Sequence, residues 1–316
     1  MEIALFTDSR MTEHRTPARH PERPERMIAI VRQLERTHLI DGMERGRSRE
    51  ATDAELERVH TSDYVKSVGE LERAGGGMLD PDTWVYAGSE RAARLAAGCA
   101  IEAVDWAVGQ SDRRAFVLVR PPGHHALRSE GMGFCIFANI SVCARAALER
   151  HQVNRLLIVD FDVHHGNGTQ EAFYTSGQVG FLSIHRHPFY PGTGMRDETG
   201  GGAGLGNVLN IPLPHGTPRR DYHAAFRAGL EKLAARIRPE LILVSAGFDA
   251  HVEDPVGDLG LEIEDFVTLT QEIKNAAECH AEGRIVSILE GGYNTPILAG
   301  SVAAHLEALG AKPGPG

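Results

Sequence analysis

Short, wholly apolar runs that recur between helical stretches, each stopping abruptly at polar residues, constrain this chain most. Residues 241–245 and 285–289 carry no polar face, apart from one serine in each. Strands of that kind belong to a parallel sheet covered by helices on both faces, because a sheet with one wet face would alternate. Further strands are predicted over 115–119, 154–159 and 179–184. Helical periodicity covers 89–108, 136–150, 219–237 and 262–280, with Tyr222, Phe226, Leu230 and Leu233 on one stripe. Pro296 opens a closing helix to residue 309 at a favourable first-turn position. Residues 185–210, rich in glycine and holding Pro188 and Pro191, interrupt the alternation and read as a functional rim. No repeat or linker divides the chain, so residues 1–316 are read as one large α/β domain.

In open α/β sheets ligands bind beyond the carboxyl ends of the strands. The run to Val119 is followed by Arg120-Pro-Pro-Gly-His124-His125-Ala, and the run to Val159 by Asp160-Phe-Asp162-Val-His164-His165-Gly-Asn167-Gly. Ser245 leads into Ala246-Gly-Phe-Asp249-Ala, and Leu289 into Glu290-Gly-Gly-Tyr293-Asn294. Continued alternation puts Asp160, Asp162 and His164 on one face. A polar turn with hydrogen-bonded histidines explains any one of these runs, but not all of them at one edge of a sheet. Asp162, His164 and Asp249 make three protein ligands and leave a fourth position open, as catalytic zinc needs. Such a metal brings the pKa of bound water toward ~7 and polarises a carbonyl. His124 and His125 can carry the proton, and Tyr293, after two glycines, can donate its hydroxyl to an oxyanion. The set describes metal-assisted amide hydrolysis.

Net charge is −10, with no lysine-rich tail, which argues against a nucleic-acid partner. No apolar run approaches the ~18 residues of a membrane span, and Met1 to Phe6 is too short and too soon followed by charge to be a signal peptide. Cys99, Cys135, Cys143 and Cys279 are scattered, as expected of reduced core thiols. The expectation is a soluble, cytoplasmic protein without nucleic-acid or membrane partners, working as a monomer or homodimer.

The runs RPPGHHA, DFDVHHGNG, AGFDA and LEGGYN, with HPERPERM near the start and YPGTG in the long loop, resemble the zinc-dependent histone deacetylase family. The likeness is closer to its class II and bacterial branches and extends over nearly the whole chain. It implies the arginase-deacetylase fold: a single domain with a central eight-stranded parallel sheet. It implies Zn2+ on Asp162, His164 and Asp249, His125 as the main general base and acid, His124 as its electrostatic partner, and Tyr293 polarising the carbonyl. Phe134, Tyr190 and Val256 fall beside the substrate tunnel, and Arg26 in an internal acetate pocket. A structural K+ is implied on Asp160, Asp162, His164, Ser183 and Ile184, partly through backbone oxygens, with a second monovalent ion near Phe173 and Ser176. Asp160 and Asn167 support the site from behind. Asn167 stands where class I members carry aspartate; its amide orients His125 but raises the imidazole pKa less.

The implied substrate is an N-acetylated amine: acetyl-lysine in a peptide first, an acetylpolyamine or other small amine second. Some polyamine-selective members place a glutamate where this chain has Val256, which offers no carboxylate to a second ammonium. Asp80 or Asp82 could substitute. A dinuclear manganese ureohydrolase on the related fold would need more bridging carboxylates. A non-catalytic acyl-lysine binding module is opposed by the intact Tyr293, His124 and His125. His14, His20 and His60 are read as structural, His185 and His187 as loop or rim residues, and Cys135 as unreactive.

Overall fold

The computed structural model describes residues 1–151 and 153–314. Its strands are β1 (Glu2–Thr7), β2 (Glu44–Arg45), β3 (Gly77–Asp80), β4 (Thr83–Val85), β5 (Arg113–Leu118), β6 (Leu156–Asp160), β7 (Val179–Arg186), β8 (Val208–Leu213), β9 (Leu241–Ala246) and β10 (Ile285–Leu289). Eight of them form one sheet in the order β2-β1-β5-β10-β9-β6-β7-β8, parallel throughout. β3 and β4 pair separately and antiparallel. The helices are α1 (Glu25–Arg36), α2 (Asp53–Leu56), α3 (Ser62–Arg73), α4 (Ser89–Val108), α5 (Asn139–Arg150), α6 (Asn167–Phe173), α7 (Arg219–Ile237), α8 (Ile263–His280) and α9 (Thr295–Leu309).

Every residue of β6, β9 and β10 is buried, which is why their sequences lack a polar stripe. α4 packs on α5, and α1, α9, α8 and α7 pack in succession, so helices flank the sheet. Gly98 interrupts the alanine-rich α4 because a Cβ there would lie 2.0 Å from the Arg49 carbonyl oxygen. α9 stops at Gly310, whose φ of +117° suits only glycine and lets its N–H reach the carbonyls of Leu306 and Glu307. Among the described residues no helix is long and apolar enough to cross a membrane.

Two sequence expectations need correction. The first half of β8, Val208 to Asn210, lies within the interval read as a glycine-rich rim, beginning two residues after Gly206 and pairing with β7. β7 runs on to Arg186, so His185 is a fully buried strand residue, not a loop or rim residue. Its imidazole bonds Ser183 Oγ at 2.9 Å and the Gly194 carbonyl at 3.0 Å. His187, partly exposed beyond the strand end, does lie in the loop.

Candidate active site

Neighbouring strands β5, β10, β9 and β6 end at one edge, and the polar runs that follow them converge there. One ligand atom from each of Asp162, His164 and Asp249 lies within 4.8 Å of the others, all three residues being buried. His164 Nδ1 stands 3.0 Å from Asp162 Oδ1 and 3.2 Å from Asp249 Oδ2. Backbone fixes the other two oxygens: Gly291 N–H donates to Asp162 Oδ2 and Val163 N–H to Asp249 Oδ1, both at 2.9 Å. Gly291 has no room for a side chain, since a Cβ would meet Asp249 Oδ2 at 2.1 Å.

Asp249 Oδ2 is buried without a hydrogen-bond partner. Burial, then the charge of Asp162, pushes the Asp249 carboxyl up to about 7. For Asp162 burial works the same way, but His124 and His164 outweigh it and hold the carboxyl far below the usual range. Two buried carboxylates facing one imidazole, one of them with an orphaned oxygen, form a donor set that fits zinc with a fourth position open. No second cluster of this kind occurs among the described residues.

The tandem histidines differ in their surroundings. His124 Nδ1 pairs with Asp160 Oδ2 at 3.0 Å, and its Nε2 is 3.8 Å from Asp162 Oδ1. Burial opposes its charge, yet Asp162 and Asp160 prevail and hold its pKa well above the ordinary imidazole value. His125 Nδ1 donates to Asn167 Oδ1 at 2.7 Å. Burial, then the charges of His124 and His164, holds its pKa well below the ordinary value. The result is a cationic imidazole beside a neutral one, with ring centres 4.0 Å apart.

Two carboxylates that sequence reasoning left without a role hold this machinery. Glu290 Oε2 accepts the N–H groups of Gly123 (2.7 Å) and His124 (3.2 Å), fixing the tandem pair's backbone. Asp254 Oδ2 accepts the N–H groups of Tyr293 (2.6 Å) and Asn294 (3.3 Å), while its Oδ1 accepts those of Val256 and Gly257. The Asp254-Pro255 pair was a legible turn signal, but nothing in the sequence ties it to Tyr293.

A pocket of 230 Å³ joins His125, His164 and Tyr293 to Phe134, Tyr190, Val256, Asp82 and Phe189. Phe134 has a φ of +69°, rare for an aromatic residue, and its N–H donates to Thr83 Oγ1 at 2.9 Å. Its ring meets Tyr293 edge-on, with centres 5.6 Å apart, and Tyr190 meets His125 edge-on at 5.2 Å. Phe189, unassigned from sequence, stacks on His164 at 5.2 Å. Burial lifts the Tyr293 phenol well above its ordinary pKa, keeping it protonated. Burial, then a hydrogen bond with Asp80, pushes the Asp82 carboxyl up to about 6.

Beneath Tyr293 lies a buried ionic group. Arg26 Nε donates to the Gly292 carbonyl at 2.6 Å and its Nη2 to the Glu290 carbonyl, and its guanidinium sits 5.0 Å from the Tyr293 ring centre. Arg120 grips Glu22 through two bonds of 2.8 and 2.7 Å, and Arg26 Nη1 approaches the same carboxylate at 3.5 Å. Of the residues matched to monovalent ions, Asp160 and Ser183 face each other across β6 and β7, with Ile184 next along β7. Phe173 and Ser176 bracket the turn after α6.

The three histidines read as structural brace loops. His14 bonds Ser89 at 2.7 Å, His20 the Asp82 carbonyl at 3.1 Å, and His60 the Leu127 carbonyl at 2.9 Å. His165, also unassigned, links Thr193 of the long loop to Gln170. Burial pushes the Cys135 thiol up, away from the thiolate form.

Fold and site together define an amidohydrolase centre at the carboxyl edge of a parallel sheet, with a donor set that could hold a metal ion. The histone deacetylase domain matches residues 20–309. The histone deacetylase-like amidohydrolase of Pseudomonas aeruginosa is 40% identical over 293 residues, covering 92% of this chain and 77% of that protein. The human protein named polyamine deacetylase HDAC10 is 38% identical over 307 residues, covering 93% of this chain and 45% of its own length. The crystal structure of the HDA15 HD domain aligns with a TM-score of 0.92 at 37% identity, covering 99% of this chain and 91% of that one. The chain belongs to the zinc-dependent histone deacetylase family and is a hydrolase acting on amides.

Proposed function

We propose that this enzyme removes acetyl groups from N-acetylated amines, acetyl-lysine in peptides foremost, with zinc held by Asp162, His164 and Asp249. The observation that carries the reading is a pocket whose walls bring His125, His164 and Tyr293 together. Zinc supplies Lewis acidity toward an acyl oxygen and lowers the pKa of water to ~7. The chain's own residues do the rest. His125, neutral and steadied at Nδ1 by Asn167, takes the proton of the attacking water at Nε2 and returns it to the departing amine. Cationic His124, between Asp160 and Asp162, offsets the negative charge that develops. Tyr293 donates its phenolic O–H to the oxyanion. Phe134 and Tyr190 flank the acyl chain and exclude water. Arg26, under the Tyr293 turn, is the cation that would meet released acetate. Potassium on Asp160, Asp162, His164, Ser183 and Ile184, and a second ion near Phe173 and Ser176, brace the loops behind the zinc ligands.

Dialysis against a chelator is expected to abolish turnover, and one zinc per chain, measured by atomic emission, to restore it. Undiminished turnover by metal-free protein would refute the assignment.

Val256 on the pocket wall supports the peptide reading, since it offers no carboxylate to a second ammonium. Asp82 on the same wall favours a second reading, a small cationic acetylated amine. In that case Asp82→Asn raises KM for acetylputrescine by roughly tenfold, the worth of a partly buried charge contact, and leaves a neutral acetyl-lysine peptide nearly untouched. Because this carboxyl titrates near 6, the discrimination is present above that pH and fades below it. The deciding measurement is steady-state deacetylation of an acetyl-lysine peptide against acetylputrescine and acetylspermidine. A peptide preference supports the first reading and a small-amine preference the second. No turnover on any of the three overturns both.

A further inference from the structure

A second pocket, of 270 Å³, lies where α5, α6 and the segment between α2 and α3 meet. Arg58, Arg128 and Arg145 reach it from three separate parts of the chain, with Glu171 and Thr175 also on its walls. Compensation for these cations is incomplete. Arg58 Nε pairs with Glu149 at 2.7 Å. Arg145 donates Nη2 to the Ala172 carbonyl at 2.9 Å and lies 4.8 Å from the Phe173 ring centre. Among the described residues, no carboxylate forms an ion pair with the guanidinium of Arg128 or Arg145. Two donors here, Arg58 Nη1 and Arg145 Nε, are buried with no hydrogen-bond partner.

Gathering guanidinium groups while leaving N–H donors unmet is costly, and more so for charged donors than for neutral ones. An oxyanion in the pocket offsets the charge of the cluster, and its oxygens match the guanidinium fork. The volume lies just under the ~300–1,000 Å³ of ordinary small-molecule pockets, which limits the occupant to a small ligand. Glu171 on the same wall disfavours a highly charged polyphosphate. We propose that this pocket binds a single phosphate group, free or carried by a small phosphomonoester. It shares no wall residue with the acyl pocket, so phosphate binds without competing with the acetylated substrate. The inference does not depend on the deacetylase reading.

The test is calorimetric titration of the zinc-loaded protein with inorganic phosphate and with glycerol phosphate, against chloride at matched ionic strength. Each titration is repeated with a hydroxamate inhibitor filling the acyl pocket, so that phosphate on the zinc is recognised as such. Saturable binding that survives the hydroxamate is expected, weakened roughly tenfold or more by Arg128→Gln or Arg145→Met, the scale of one lost charge-assisted contact. Arg128 is exposed, so Arg128→Gln tests the site without risk to the fold, and its deacetylase turnover stays at the wild-type level. Tighter binding of glycerol phosphate than of phosphate supports a monoester as the ligand; the reverse supports the free ion. Three results overturn the proposal: no saturation beyond chloride, loss of binding with hydroxamate present, or affinity unchanged in both variants.

Discussion

Replacing His125 with alanine is expected to lower kcat by roughly 10²–10⁴-fold while zinc content and thermal midpoint stay close to wild type. The size follows from its position. His125 is the one imidazole at the pocket that combines a free Nε2, a fixed Nδ1 and a depressed pKa. His124 cannot take over, because Asp160 and Asp162 hold it in the protonated form. Tyr293→Phe is expected to cost turnover on a comparable scale by removing a single oxyanion donor, roughly 10²–10³-fold. Measuring kcat beside metal content separates an enzyme from a binding module, which would lose little ligand affinity in either variant. Asn167→Asp provides a finer test. A carboxylate against Nδ1 raises the His125 pKa, so the acid limb of the kcat/KM profile moves to higher pH. Retention of His125→Ala activity within tenfold of wild type would sink the assigned role.

The second large effect concerns stability. Glu22→Gln is expected to destabilise the fold by about 3–5 kcal/mol at neutral pH, because it leaves the fully buried Arg120 and Arg26 without their anion. Burial alone would raise the Glu22 carboxyl. Arg120 outweighs it and brings the pKa down to about 2 from an ordinary value of 4.5. A depressed carboxylate pKa gives stability that is complete above 4.5 and is lost as pH falls toward 2. Urea unfolding should therefore show wild type and Glu22→Gln converging as pH drops through that window. A constant gap between them across the window would count against this account, and a neutral-pH difference under about 1 kcal/mol would mean that the buried group is worth no more than a surface pair.

Strands β9 and β10 were legible because burial on both faces removes every polar residue except the serines that bond inward: Ser245 to Glu290 and Ser287 to His305. β8 was not. It lies at the sheet edge, leaves Leu209 and Pro212 partly exposed, and carries a proline that a central strand would exclude. β2 is two exposed residues and leaves no pattern at all. The clustering of Asp162, His164 and Asp249 beside the tandem histidines could be read because ligand chemistry needs particular residue types at the end of apolar runs. Their supports could not, since Glu290 meets Gly123 across 167 positions and Asp254 meets Tyr293 across 39. His185 was misplaced because a histidine after a strand looks like the strand's end, whereas Ser183 and the Gly194 carbonyl let this one continue inside.

The strand order has a consequence for how the protein comes off the ribosome. β10, the last of the ten described strands, sits between β5 and β9 and joins the strand group β2-β1-β5 to the group β9-β6-β7-β8. Until residues 285–289 have emerged, the nascent polypeptide holds two half-sheets, each ending in an apolar strand with unpaired backbone. Such edges recruit other chains. During synthesis the vulnerable period therefore lasts until β10 is in place, and closing the sheet is the same event that delivers Tyr293 to Asp162, His164 and Asp249.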